Sequence, residues 1–197
     1  GPFDRVVVAA PAPQTADLLA PVAPSLADYA RRARYTPTMS ALAVFDRPLD
    51  IAEEVMAETD APVLGFAVRD TAKPGRDPVS DVWALHATAS WSEAHKDDGF
   101  DAIADALVSA FRARANNAPP ARVQIGHRWR YALVAEPLGA DCLFDAHAGI
   151  GACGDWCLGP TAGDALLSGM AMAGRLFACE PCLAARARPM QEPEAAA

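Results

Sequence analysis

The chain has 197 residues, of which 52% are hydrophobic and 21% are charged, a composition typical of a folded globular protein with one or two domains. Its 17 basic and 25 acidic residues give a net charge of −8, which argues against nucleic acid as a partner, because such binding depends on basic side chains. No apolar run reaches the ~20 residues that span a bilayer, and no signal peptide is recognisable, so the sequence predicts a cytoplasmic protein without a membrane partner.

The first predicted element is a buried parallel strand at 5–10, because its residues are apolar on both faces and it stops at Pro11. Such a strand needs neighbours on both sides, which predicts a preceding segment or a partner chain. Two proline-opened helices are expected to follow, and then three strands. The predicted ranges are 14–20 and 24–34 for the helices, and 39–45, 63–69 and 82–88 for the strands, with a loop at 71–78.

The clearest helix covers 99–115, because its apolar residues recur on one helical face. Asp97 or Asp98 is expected to cap its start, a reading preferred to a catalytic carboxylate pair, and Asn116 with Asn117 should end it. The elements predicted after it are strands at 122–129, 131–134, 142–144 and 149–153 and a helix at 163–177, before a loose tail at 186–197.

This order predicts a mixed α/β (α+β) fold. An α/β piece leads into a β-rich stretch with one long helix, and the chain then returns to strand, turn and helix. The pattern is typical of a nucleotide-binding domain interrupted by a substrate domain on a mixed or antiparallel sheet. The predicted boundaries are 1–34 and 141–180 for the nucleotide-binding part, 35–140 for the substrate domain, and 181–197 for the tail.

The segment 149–174 is the most informative for chemistry. Gly149, Gly151 and Gly154 formally match a dinucleotide-binding pattern, but that pattern needs a helix that begins within the glycines, and Pro160 is expected to delay the helix. We expect instead a strand that ends at Gly154 and Asp155, a turn, and then a helix of small residues. The Asp155 carboxylate suits hydroxyl donors, and the helix start offers amide donors and a partial positive charge that suit a reduced flavin.

The sequence CGDWCLGPTAGDALLSG at 153–169 resembles the carboxy-terminal flavin motif of renalase-like, FAD-dependent proteins related to amine oxidases. Further stretches are similar to the bacterial branch of that family and occur in the same order. Because the matching motifs are collinear between residues 3 and 178, they are more specific together than any one alone. These stretches are FDRVVVAAPAPQTADLL at 3–19, KPGR at 73–76 with WALHATASWSEAH at 83–95, and HRWRYALVAEPLG at 127–139.

The resemblance implies a flavoprotein with an FAD domain of the dinucleotide-binding fold and a substrate domain like that of p-hydroxybenzoate hydroxylase. Members oxidise nicotinamide dinucleotides, notably dihydro isomers of NAD(P)H, and pass electrons through the flavin to oxygen, which releases hydrogen peroxide. By the same resemblance, Asp155 would contact the ribityl–pyrophosphate region. The residues implied to lie along the cofactor are Ala9, Ala10, Pro11, Gly154, Asp155, Trp156, Thr161, Ala162 and Gly163.

This chain departs from the family at two places. The family usually carries larger or charged residues where this chain has 160–163, and it begins with a glycine-rich turn and an acidic residue that hold the diphosphate and the adenosine ribose. Neither of these last two features is found in the 197 residues. The alternatives to a whole flavoenzyme are therefore a non-catalytic ligand-binding remnant and one subunit of a split enzyme, with an amino-terminal partner segment or chain.

Five side chains are candidates for contacts with a small-molecule substrate, each with a plainer reading. Lys73 reads more simply as a solvated loop lysine. His86 reads equally as a core histidine. His127, Trp129 and Tyr131 share one face of a strand, and they suit either a planar ring or the protein core.

The cysteines and the apolar segments complete the prediction. Five cysteines, Cys142, Cys153, Cys157, Cys179 and Cys182, do not form a disulfide framework; a four-thiolate zinc site is weighed against buried or free thiols, and no metal is predicted. If no preceding segment or partner chain covers them, residues 6–10 and 166–170 are expected to expose apolar surface, which predicts a homo-oligomer or poor solubility.

Overall fold

The computed structural model describes residues 3–58, 60–76 and 79–178. The chain forms two compact units, which are described separately. Unit 1 combines the residues up to Arg34 with those from Val134 onward, and unit 2 comprises Tyr35–Leu133. The substrate domain predicted from the sequence ends at 140, whereas unit 2 ends at Leu133. The assignment of one unit to a flavin and the other to a substrate stays a prediction.

Unit 2 is a five-stranded sheet with one long helix on one face. The strand order is β3-β4-β5-β2-β6, and the β3–β4, β4–β5 and β5–β2 pairs are antiparallel. A short 3-10 turn at Asp70–Ala72 follows β4. The elements are β2 (Arg34–Phe45), β3 (Val55–Ala57), β4 (Leu64–Arg69), β5 (Asp81–Ala87), α3 (Ala89–Ala94), α4 (Phe100–Arg114) and β6 (Val123–Glu136).

The core of unit 2 lies between the sheet and α4. Strand β5 alternates strictly between buried and half-buried residues, so that Trp83 and Leu85 face the core while His86 faces the other way. Phe111 of α4 packs on Trp83 with ring centroids 4.8 Å apart and on Phe45 at 6.0 Å. Trp83, Leu85 and Phe111 have no exposed surface, so this core is closed on the helix side.

Unit 1 is a three-stranded sheet with helices. Strand β1 pairs in parallel with β8, with Val6 opposite Ile150, and β8 pairs antiparallel with β7, which gives the order β1-β8-β7. Alanines make up half of the described buried hydrophobic residues of this unit, and Trp156 is its largest buried side chain. The elements are β1 (Val6–Val8), α1 (Ala12–Leu19), α2 (Pro24–Ala30), β7 (Leu143–Asp145), β8 (Ile150–Ala152), α5 (Asp155–Leu158) and α6 (Ala162–Ala178).

The mixed α/β class predicted from the sequence is confirmed, as is the parallel direction of the first strand. Its predicted burial is wrong. Val6 is 47% and Val7 38% exposed, because β1 stands at the edge of its sheet and pairs with β8 alone among the described strands. The exposed apolar surface predicted at 6–10 and 166–170 is present: Leu166 and Met170 of α6 are 65% and 62% exposed.

Two predictions around α4 and β6 are wrong. The start of α4 has Gly99 as its N-cap and no side-chain cap, and the Asp98 carboxylate instead lies 2.8 Å from His95 Nδ1. Val123–Glu136 form one strand where the sequence predicts two, because the Arg130 guanidinium points outward and lies 3.9 Å from the Asp97 carboxylate, and a strand with one exposed face tolerates a charge. The predicted helix end is confirmed by the positive φ angles of the two asparagines after Arg114.

Several short elements were missed and one helix was predicted too long. The second helix ends at Ala30, and Arg34 already begins β2. A three-residue strand such as β3, or a helix of less than two turns such as α3, is too short for a periodic pattern to be recognised in the sequence. The missed elements are β3, α3 and α5. No helix of the described residues combines the length and apolar character that crossing a membrane requires.

Candidate functional site

The outer face of the unit 2 sheet carries a pocket of about 360 Å³. Its floor comes from two cross-strand pairs of β2 and β5, Ser40 opposite His86 and Leu42 opposite Ala84. One wall comes from alternate residues of β6, which project from the same face because the side chains of a strand alternate. We call this the sheet-face pocket, and its lining is Ser40, Ala41, Leu42, Ala84, His86, Ile125, His127 and Trp129.

His86 and Ser40 form the polar pair of the sheet-face pocket. Ser40 Oγ lies 2.8 Å from His86 Nδ1, and Ser40 is 7% exposed. Burial lowers the pKa of the His86 imidazole from its ordinary value, so the ring is neutral at pH 7. The Phe66 ring packs beside it at 6.0 Å between centroids, which restrains the orientation of the imidazole.

The aromatic wall of the pocket is held by α4. His127 and Trp129 meet edge to face with centroids 4.3 Å apart, and the Phe100 ring stacks on His127 at 6.2 Å. Gly126 permits this approach, because a Cβ atom there would overlap the carbonyl of Phe100. The start of α4 therefore packs directly on β6 and positions the rings.

The other two substrate candidates lie outside the pocket lining. Tyr131 sits further along β6 and packs on Tyr35, with centroids 5.5 Å apart. Lys73 is in the loop after β4, where its ammonium lies 2.6 Å from Asp70, and its side chain is 52% exposed. The Lys73 hydrogen bond is the main cause that lowers the pKa of the Asp70 carboxyl. The structure thus brings together His86, His127 and Trp129 and leaves Lys73 and Tyr131 apart from them.

The buried carboxylate of Asp81 holds the 3-10 turn that directly precedes Lys73. Asp81 is 1% exposed and accepts hydrogen bonds from Leu49 N and Thr71 Oγ1, both at 2.9 Å. Its Oδ1 also lies 3.3 Å from Arg69 Nε, and the Arg69 guanidinium stands over the Trp83 ring at 4.9 Å. This network links Asp81 to Leu49, Thr71 and Arg69, and a role in stabilising the fold accounts for it without a ligand.

In unit 1, the residues predicted to hold a flavin surround the end of β8. Strand β8 ends at Ala152, and the short helix α5 (Asp155–Leu158) stands where a turn is predicted, so the expectation that a helix begins only after Pro160 is wrong. Trp156 has no exposed surface, and its indole N–H donates to the carbonyl of Ala10 at 3.1 Å. A Cβ atom at Gly154 would lie 2.5 Å from that indole nitrogen, which accounts for the glycine by packing alone.

Asp155 is the predicted cofactor residue whose geometry suits a ligand best. It is half-buried, and its Oδ1 accepts from Trp156 N at 2.8 Å, which fixes the carboxylate. Its Oδ2 has no hydrogen-bond partner among the described residues. Ala9 is exposed while Ala10 and Pro11 are half-buried, so part of the loop after β1 is also accessible.

The start of α6 is already capped by its own residues. Thr161 Oγ1 accepts from Asp164 N at 3.1 Å, and Asp164 Oδ2 accepts from Thr161 N at 2.9 Å, which together form a reciprocal capping box. The Thr161 hydrogen bonds lower the pKa of the Asp164 carboxyl. Thr161, Ala162 and Gly163 are exposed, but the Asp164 carboxylate places a negative charge beside them.

A flavin therefore fits these residues only in part. The free oxygen of Asp155 suits a ribityl hydroxyl, as the sequence predicts. The helix start does not suit an anionic group, because the Asp164 charge offsets the positive end of the helix dipole. The predicted roles of Thr161, Ala162 and Gly163 stay predictions that this charge weakens.

The described cysteines are free thiols, of which Cys153 and Cys157 are buried and Cys142 is half-buried. Burial raises the pKa of Cys142 and Cys153, and it raises that of Cys157 to about 11 although a hydrogen bond with Ser168 acts the other way. Within residues 3–58, 60–76 and 79–178, no group of His, Cys, Asp and Glu side chains is arranged to hold a metal ion. Cys179 and Cys182, and the predicted tail, lie outside the described residues.

Sequence reasoning missed several residues of the sheet-face pocket, namely Ser40, Ala41, Leu42, Ala84 and Ile125. Ile125 shares the strand face of His127 and Trp129, so the alternation that identified those two also points to it. Ser40 and Ala84 carry no such signal, because they reach the pocket through the register between β2 and β5, and that register is a tertiary property.

No family model matches the chain. Among solved structures, the chain is similar to the crystal structure of a protein from Exiguobacterium sp. 255-15 described as a "Putative protoporphyrinogen oxidase", with 16% sequence identity and a TM-score of 0.62. The similarity covers 91% of this chain and 41% of the other, so this chain spans less than half of the protein that it resembles. At this level of identity, the likeness shows the fold.

Proposed function

We propose that this chain belongs to an FAD-dependent oxidoreductase of the renalase-like kind, which oxidises dihydronicotinamide dinucleotides and passes the electrons through flavin to oxygen. The observation that carries the proposal is the fold likeness, over 91% of the chain, to a protein whose name describes an oxidase. The collinear motifs between residues 3 and 178 supply the narrower family and substrate.

Within this proposal the two units have different tasks. FAD, when bound, accepts the hydride, and the protein binds and orients the reactants. Asp155 would hold the sugar-like part of the cofactor through its unpartnered carboxylate oxygen. The sheet-face pocket would receive the ring of the substrate, since it combines aromatic walls with one fixed polar pair.

The cofactor part of the proposal is tested by calorimetric titration of FAD into the purified chain and its variants. We expect the wild type to bind FAD. The affinity of Asp155→Ala for FAD should be lower by about tenfold or more, because the variant lacks the carboxylate that would accept a charge-assisted hydrogen bond from the ligand. The matched control is Asp17→Ala on the exposed side of α1, which should leave FAD binding unchanged. Absence of FAD binding to the wild type would contradict the proposal for this chain.

The substrate part is tested by peroxide release from dihydro isomers of NAD(P)H in a preparation that binds FAD. We expect peroxide to form with at least one isomer and to depend on added FAD. A flavin-loaded preparation whose flavin is not reduced by any isomer would leave the oxidoreductase class intact and remove the nicotinamide substrate.

A ligand-binding remnant without flavin is the second candidate. The capping box at the start of α6 favours it, because Asp164 places a carboxylate where the flavin proposal needs a positive helix end. A remnant would ignore FAD and still bind a ring in the sheet-face pocket, so the two candidates differ in the calorimetric titration.

A further inference from the structure

No lysine, arginine, aspartate or glutamate side chain lines the sheet-face pocket. Its lining consists of aliphatic residues, one tryptophan, one serine and two histidines, and burial lowers the pKa of His86 so that this ring is neutral. A charged group that entered the pocket would lose hydration without meeting a carboxylate, ammonium or guanidinium group, which is costly. The part of a ligand that enters must therefore be uncharged.

The shape of the pocket favours a flat ring. Trp129 is 54% exposed and presents its indole to the cavity beside His127. Ala84 opposite Leu42 leaves the floor open, because a methyl group replaces a larger side chain there. Aromatic faces pair with flat rings in offset or edge-to-face geometry, and the volume of about 360 Å³ lies within the range of small-molecule sites.

The Ser40–His86 pair determines which hydrogen bond the pocket offers. If His86 Nδ1 carried the proton, it would donate to Ser40 Oγ and leave the hydroxyl proton of a buried serine without an acceptor. If Ser40 donates to Nδ1, both groups are satisfied and the ring proton resides on Nε2. Nε2 has no partner among the described residues, so the pocket presents an N–H donor.

We propose that the sheet-face pocket binds an uncharged planar ring that bears a carbonyl group, with the carbonyl oxygen accepting from His86 Nε2 and Ser40 acting as the positioning residue that fixes the tautomer. The inference rests on the proposed function only in treating this pocket as the substrate pocket. It adds the chemical class of the group that enters and the residue that selects it.

The test uses three one-ring probes titrated into the isotopically labelled chain without FAD, with binding followed by backbone amide shifts. Acetophenone has a ring and a carbonyl, chlorobenzene has a ring of similar size without a carbonyl, and benzoate carries a charge. We expect the affinity for acetophenone to exceed that for chlorobenzene several-fold and that for benzoate by about tenfold or more. The largest amide shifts should occur at Leu42, Ala84 and His127. Equal affinity for benzoate, or shifts outside this pocket, would overturn the proposal.

Variants of the pocket distinguish a loss of selectivity for the carbonyl group from a general loss of the folded pocket. His86→Phe should weaken acetophenone by about threefold to tenfold and leave chlorobenzene unchanged, because it keeps a ring and removes the donor. His86→Gln, which restores an N–H donor, should recover part of the preference for acetophenone. Ser40→Ala should weaken acetophenone by a smaller factor, and the control Ser109→Ala on the exposed side of α4 should change neither probe.

An equal loss of acetophenone and chlorobenzene in His86→Phe would show that the histidine only shapes the pocket, and would overturn its selecting role. The flavin proposal and this one fail independently, because the probes are measured without FAD. A chain that binds FAD but not acetophenone refutes the ring site alone, and a chain that binds acetophenone but not FAD refutes the flavin proposal alone.

Discussion

Unit 2 and unit 1 use their apolar residues in different ways. In unit 2, aromatic and large aliphatic side chains fill the space between the sheet and α4, with Trp83 and Phe111 fully buried. In unit 1, alanines make up half of the described buried hydrophobic residues, while large residues such as Leu166 and Phe177 of α6 are 65% and 70% exposed. Apolar content therefore does not tell where stability resides, since only buried area contributes to it.

The sharpest test of this comparison replaces one phenylalanine in each unit. Phe111→Ala should lower the free energy of unfolding by about 3–5 kcal/mol, because it opens a cavity beside Trp83. Phe177→Ala should change it by less than about 0.5 kcal/mol, because most of that ring is already in contact with solvent. Urea unfolding followed by circular dichroism measures both, and similar losses would show that unit 1 relies on α6 as unit 2 relies on α4.

A second test compares a buried and an exposed carboxylate of unit 2. Asp81→Asn should cost about 2–3 kcal/mol in the free energy of unfolding, because it weakens charge-assisted hydrogen bonds from Leu49 N and Thr71 Oγ1. Asp46→Asn, which breaks an exposed ion pair with Arg122, should cost less than about 1 kcal/mol. If the two variants unfold at the same urea concentration, the hydrogen bonds to Asp81 contribute no more to stability than the exposed ion pair of Asp46.

A third test turns to the end of unit 1 that was expected to hold flavin. Thr161→Ala should destabilise the protein by about 1 kcal/mol, because α6 loses its side-chain cap. The pKa of Asp164 is lowered in the folded protein, so its contribution is present above the ordinary value of 3.8 and is lost as the pH falls through the lower folded value. Thermal unfolding at neutral pH measures the cap, and no change would mean that the capping box does not hold the helix start.

The smallest expected effect concerns the pH dependence of unit 2. Burial lowers the pKa of His86 below 6.5, so the unfolded chain takes up a proton at this residue at higher pH than the folded chain does. Stability should therefore fall as the pH drops below 6.5 and level off below the folded pKa. His86→Phe should remove this part of the slope, whereas His147→Ala, at an exposed histidine of unit 1, should retain it. Unfolding free energies measured across this range decide between the two outcomes.

The sequence predicted the long elements because they repeat a pattern over several turns or pleats. Helix α4 carries one apolar face over its whole length, and β5 alternates residue by residue. The short helix α5 was not predicted, since its four residues complete barely one turn. The edge position of β1 could not be read from the strand itself, because a run of valines has the same composition at the edge of a sheet as at its centre.

The candidate site was predictable where it depends on one strand and not where it depends on two. The shared face of His127 and Trp129 follows from alternation along β6 alone. The partnership of Ser40 with His86 depends on the pairing of strands that lie 46 residues apart in the chain. The capping box at Thr161 and Asp164 has a recognisable spacing in the sequence, and it competes with the interpretation of the helix start as a ligand site.

The carbonyl of Ala10 accepts from both Thr15 Oγ1 and Trp156 Nε1, and so it fastens together parts of the chain that are 146 residues apart. Closing so large a loop is entropically slow, whereas every contact of unit 2 lies within one continuous stretch. During synthesis, the ribosome releases that stretch before it has made β8. We therefore expect the unit that encloses the Ala10 carbonyl to complete its folding after unit 2.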